Sequence, residues 1–202
     1  MHVVLFLITF CSIGAISPAY AAPFLPSVDF SEILTTPREK LLLYTHKEFS
    51  TLLNDTLLEG ALLLQGIIDD ARAFYPGMQS PELEAFANFI SATKRTNEYD
   101  ELEELLDQFE EMLDFDSDEV SEPLAELLNQ HGFHNFEGYL MERISGALSR
   151  IEEHVQLYIN SLSKWERQKD SKMVQWLASF RNEHDIDEKM ELFLDFVEFF
   201  DY

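Results

Sequence analysis

From Phe136 the apolar residues of this chain fall at Leu140, Ile144, Ala147, Ile151, Val155, Tyr158, Ile159 and Leu162. That three-and-four spacing marks one face of a helix, held for about seven turns. A stripe of this length has to be buried, and other helices are what the chain offers to bury it against. No stretch alternates apolar and polar with period two over a useful length, so the sequence predicts an all-α, multi-helix fold.

The neighbouring segments carry their own start and stop signals. Thr36-Pro37-Arg38-Glu39 opens a helix: Thr36 caps, Pro37 fits the first turn and Glu39 returns a bond to the cap. Between Leu57 and Ile68 that helix is apolar on more than one face, which predicts other helices around it, and Tyr75-Pro76-Gly77 ends it. Ser80-Pro81 starts the next helix, and Asn97 or Asp100 caps another with Leu102, Leu105, Leu106, Phe109, Met112 and Leu113 inward. Asp170 or Ser171 opens a helix with Val174, Leu177 and Phe180, and Asp185-Ile186-Asp187-Glu188 reads as a capping box for the last one. Gly60, Gly66, Gly138 and Gly146 lie inside helical stretches, where they suit close helix packing.

Two stretches echo each other. Laid over one another without gaps, Leu124-Ala125, Asn129 and His131 meet Leu177-Ala178, Asn182 and His184. Each reads as a short helix, a tight turn and a longer amphipathic helix, with Gly132 as the left-handed stop of the first. The domain reading is therefore a signal peptide over 1–21, then one all-α domain over 22–202 built of two divergent units, about 29–148 and 149–202.

The signal peptide rests on the apolar run from Val3 to Phe10, closed by Pro18 and followed by Ala19-Tyr20-Ala21 as a small-x-small cleavage site. Its departure from the usual pattern is an n-region without Lys or Arg. The run is too short to span a bilayer, and the later apolar stretch from Leu52 to Ala73 is broken by polar and acidic residues. The expectation is a soluble, secreted product with no transmembrane segment. Cys11, the only cysteine, leaves with the signal, so the mature chain is held by burial without disulfides. Asn54-Asp55-Thr56 matches the N-glycosylation pattern and makes Asn54 the candidate modified residue.

A net charge of −24 disfavours nucleic acid and anionic membranes as partners, since both call for a basic face. The familiar catalytic and metal patterns fail in turn. Asp114-Phe115-Asp116-Ser117-Asp118 opens like a calcium loop, but Glu119 and Ala125 stand where such a loop needs Gly and a bidentate Glu. His131 and His134 lack a further ligand, and no His has the Glu three residues upstream that a di-iron bundle uses. Glu98 and Glu101 form only a weak all-carboxylate alternative. With no mature Cys, no Gly-x-Ser-x-Gly elbow and no zinc-protease helix, the chain reads as non-enzymatic, with no cofactor and no metal site assigned.

What remains is apolar excess. The terminal helix holds Phe193, Phe196, Val197 and Phe200, and the first long helix holds Leu63, Leu64 and Ile67. With Phe109 and Ile144 these are the candidate lining residues of an apolar interior. A filled core and a ligand cavity both satisfy this pattern.

Asp29-Phe30, Ile33-Leu34 and Pro37, then Val155-Gln156, Ile159 and Leu162, with the closing segments Leu124 to Leu148 and Leu177 to Phe200, together resemble the insect allergen-related repeat family. These are secreted gut proteins that include a cockroach allergen, midgut microvillar proteins and nitrile-specifier proteins of some caterpillars. Gly132-Phe133-His134 lacks the family's Asp, and Asp185-Ile186-Asp187 lacks its Gly. The resemblance implies a helical capsule that holds fatty acids or other lipids in the gut lumen or at the microvillar surface. Two further readings come from the residues alone: a carboxylate-rich metal-binding or degenerate ferritin-like protein, and an acidic secreted interaction protein with a filled core.

Overall fold

The computed structural model describes residues 36–95, 99–113 and 120–200. The signal peptide with Cys11, the Asp29–Leu34 opening, Glu98 and the calcium-like run at 114–118 lie outside the described residues. Among those described there are eight α-helices, one short 3-10 turn and no strand, so the chain is all-α. In chain order the helices are α1 (Pro37–Phe74), α2 (Pro81–Thr93), α3 (Tyr99–Leu113), α4 (Glu122–Gln130), α5 (Phe136–Ser161), α6 (Lys164–Lys169), α7 (Ser171–Asn182) and α8 (Ile186–Glu198); the 3-10 turn, Phe133–Asn135, precedes α5. No helix among the described residues is long and apolar enough to cross a membrane.

Local chemistry sets most of the helix ends. The Thr36 hydroxyl accepts the Glu39 N–H at 3.2 Å while the Glu39 carboxylate accepts the Thr36 N–H at 2.9 Å, the reciprocal box expected of α1. Ser80 caps α2 through the Leu83 N–H, with Pro81 in its first turn. At α8 the box is only half made. Asp185 accepts from the Asp187 and Glu188 N–H groups, but its own N–H donates to Glu183, not to Glu188. Gly132 stops α4 at φ 69°, a conformation that costs any residue with a Cβ about 1 kcal/mol or more.

One element was not anticipated. Ser163 and Glu166 form a complete capping box that opens α6, a helix of six residues directly after α5.

The described residues form two compact units. The first is Leu53–Leu140; the second joins residues 36–52 to residues 141–200. Both boundaries fall inside helices, α1 and α5.

In the first unit α2 packs on α3 and α4 on the 3-10 turn. Phe86, Phe89, Phe109 and Phe133 are fully buried there, with Leu64, Ile67, Leu106 and Leu128. Only one face of α1 is buried in that stretch. Leu58 and Leu62 are 57 % and 63 % exposed, which corrects the expectation of a helix surrounded on several sides. In the second unit α7 packs on α8 and α6 on α7, around Phe49, Ile144, Ile151, Phe180, Phe193 and Phe196. Asn54 is exposed on α1, while Thr56 of the same acceptor pattern is 1 % exposed.

Candidate functional site

The nine candidate lining residues divide between the units. Leu63, Leu64, Ile67 and Phe109 belong to the first; Ile144, Phe193, Phe196, Val197 and Phe200 belong to the second. All are buried except Leu63, which is half-buried.

In the first unit Phe109 is the centre. Its ring stacks on Phe89 at 5.1 Å and meets Phe136 edge-on at 5.1 Å. It lies so close over Gly60 that a Cβ there would fall 2.6 Å from the ring. Gly60 is thus the notch into which Phe109 fits. Gly66 plays a similar part beside His131, whereas Gly138 opens onto nothing within 4 Å and has no packing role. His131 caps α4 and its Nε2 pairs with Asp70 at 2.9 Å; His134 is exposed, its ring edge against Phe133. The two histidines do not converge on one point. Among the described residues no three His, Cys, Asp or Glu side chains are grouped to hold a metal.

The second unit gathers a larger aromatic set. The Asp185 cap starts α8, whose spacing puts Met190, Phe193, Phe196 and Val197 on one buried side, with Phe200 buried just past the helix end. Trp176 of α7 lies between Phe180 at 4.7 Å and Phe196 at 4.6 Å, and its indole N–H donates to the Leu192 carbonyl at 2.6 Å. Phe49 of α1 stacks on Phe193 at 4.7 Å, and Phe196 meets Phe193 at 5.6 Å and Phe200 at 5.1 Å. Nearly every donor or acceptor bordering this set is satisfied: the buried Thr45 hydroxyl, for example, donates to the Leu41 carbonyl.

Arg38, from the first turn of α1, stands at the rim. Its guanidinium donates to Asp170 at 3.0 Å and to the Phe199 carbonyl, and lies 5.5 Å over the Phe200 ring. The other Asp170 oxygen accepts the Tyr158 hydroxyl. Burial, and then that bond to a carboxylate, pushes the Tyr158 phenol well above its ordinary value. Asp170 occupies the N-cap position of α7 but makes no side-chain cap bond, because its carboxylate is committed to Arg38 and Tyr158. Among the described residues two buried polar atoms of this unit have no hydrogen-bond partner: the Arg38 Nε here, and the His154 Nδ1 away from the α8 set.

A second polar cluster of this unit joins α1 and α5. The Tyr44 ring stacks on His154 at 3.3 Å, and Arg150 pairs with Glu48 at 2.7 Å. Burial first, then the bond to Glu48, raises the Tyr44 phenol to about 12; burial holds the His154 imidazole below its usual value. Both groups are uncharged near neutral pH, which suits a packed polar contact better than proton transfer.

Periodicity found the apolar face of α8 that the structure buries. It could not find Arg38, Asp170 or Tyr158, since Arg38 and Asp170 are 132 positions apart and an ion pair at that separation leaves no local pattern. Comparison with protein families, with curated proteins and with solved structures finds no match for this chain.

Proposed function

We propose that this chain is a secreted, non-enzymatic helical protein that binds fatty acids or other apolar small molecules, in the second unit. The observation that supports this reading most directly is the unmatched Arg38 Nε at the edge of the aromatic set. An orphaned buried donor costs about 1–3 kcal/mol. A ligand carboxylate is the acceptor that would recover that cost while its chain replaced ring-to-ring contacts among Phe193, Phe196 and Phe200. Secretion rests on the signal peptide expected over 1–21, and a gut setting on the family resemblance alone.

Native mass spectrometry of the protein from a eukaryotic secretion host, with fatty-acid titration, tests the reading. Bound lipid, and affinity for the free acid that Arg38→Gln lowers about tenfold or more while sparing the methyl ester, is the expected result. Purified protein that carries no lipid and ignores every fatty-acid probe refutes it.

A second reading has its own support in the first unit. There Phe109 fills the notch over Gly60, stacked on Phe89 and in an edge contact with Phe136, as a filled core requires. On that reading the protein acts through its acidic surface, and a salt-sensitive pull-down of a cationic partner distinguishes it.

A further inference from the structure

The cations of this acidic chain are unevenly spread. Four of the 14 Lys and Arg residues, Lys164, Arg167, Lys169 and Lys172, fall within α6 and the first turn of α7. All four are exposed. Elsewhere in the same unit Arg38 pairs with Asp170, Arg150 with Glu48, and Arg181 and Lys189 share Glu152, while Lys40 and Lys47 are exposed on α1. None of the four on α6 and α7 pairs with a carboxylate among the described residues. The ammonium of Lys169 sits 3.7 Å over the Trp165 ring, and Arg167 is turned to the carbonyls of Leu162 and Asn160.

The two acids in the segment are engaged inside the molecule. Glu166 closes the capping box with Ser163, and Asp170 holds Arg38 and Tyr158. In the midst of these cations Trp165 is 63 % exposed. Solubility does not call for an indole in water, and a six-residue helix closed by its own capping box does not need one for its packing.

We propose that α6 and the first turn of α7 form a docking surface for an anionic phospholipid interface. The cations meet lipid phosphates and carboxylates there, and the Trp165 indole sits at headgroup depth, where an apolar ring with one polar N–H is most stable. The indole decides between this partner and a purely charged one. An acidic segment of a second copy, such as the exposed Glu104, Asp107 and Glu111 of α3, complements the cations but leaves Trp165 in water. The net charge of −24 does not forbid the contact, because screening confines its repulsion to about 8 Å at physiological ionic strength. It does make the contact local and salt-sensitive. With no helix among the described residues able to cross a bilayer, the contact is peripheral. It requires no fatty acid in the aromatic set and stands apart from that reading.

Flotation of the full chain with large unilamellar vesicles tests it, comparing phosphatidylcholine alone with phosphatidylcholine containing phosphatidylserine. We expect binding to the anionic vesicles only, lost at high salt, and reduced more than about tenfold by Lys164→Glu with Lys172→Glu. Trp165→Ser should weaken it as well, and the circular dichroism of every variant should match the parent, since all three positions are exposed. Failure of the parent to float with anionic vesicles at low salt overturns the proposal, as does equal binding to neutral vesicles or indifference to the charge reversals. A salt-sensitive dimer that the same reversals abolish, without vesicle binding, gives the surface to a second copy and also overturns it.

Discussion

Gly60 and Gly138 show how differently two helical glycines can be placed. At Gly60 an added Cβ would fall 2.6 Å from the tip of the Phe109 ring, which is fully buried and confined by Phe89 and Phe136. Gly60→Ala should therefore cost about 1–3 kcal/mol in urea denaturation, with part of the loss recovered by Phe109→Leu in the same chain. Gly138 is exposed with nothing within 4 Å, so Gly138→Ala should raise stability by up to about 1 kcal/mol. A Gly60→Ala protein as stable as the parent would show that Phe109 is not held in the notch. Sequence placed both glycines inside helices, and there its information ended. Which of them faces a ring is decided by a residue some fifty positions away.

At the scale of the element, caps were the most readable feature. Thr36, Ser80 and Gly132 act as their residue types dictate, because a cap needs only the backbone of its own first or last turn. Asp185 departs in one detail that can be measured. Its side chain accepts two N–H groups at the start of α8, while its own N–H goes to Glu183. Asp185→Ala should cost about 1 kcal/mol, and Glu188→Ala clearly less, whereas a reciprocal box would make the two losses comparable. Equal losses in chemical denaturation would restore the full box. Asp170 departs further: residue type and position suit a cap, yet its carboxylate serves Arg38 and Tyr158. A charge-assisted bond to a guanidinium outweighs a cap bond, and the choice depends on where α1 begins relative to α7. The two echoing turns also part company. Gly132 turns the first in the left-handed region, whereas α7 leaves through an extended Glu183 before the Asp185 cap.

For the whole molecule, the loss of stability in acid follows from two half-buried histidines. Desolvation holds both His46 and His154 below the ordinary imidazole value of 6.5. The unfolded chain binds those protons first as pH falls, so the contribution of each is complete above 6.5. It is lost as pH drops from there through the depressed folded values. Glu166 and Glu183, lowered from 4.5 by hydrogen bonds to their carboxylates, open a second, more acidic window of loss. Urea titrations at several pH values should show stability declining below 6.5, with the slope flattened in a chain carrying His46→Gln and His154→Gln. The measurement belongs at high salt, where the relief of self-repulsion in a chain of net charge −24 is screened. Stability that is constant between neutral pH and the carboxylate range contradicts the desolvation of both rings.

The sequence by itself determined that this chain is helical, where most of its helices begin and end, and that the long stripe of α5 is buried. Those properties live within a few residues of backbone, where spacing and capping act directly. Only the tertiary structure decided that the lining candidates divide between two units, that Leu58 and Leu62 stay exposed, and that Arg38 meets Asp170 beside Phe200. Periodicity says that a face must be covered but not by what; the partner is chosen by packing among segments far apart in the chain.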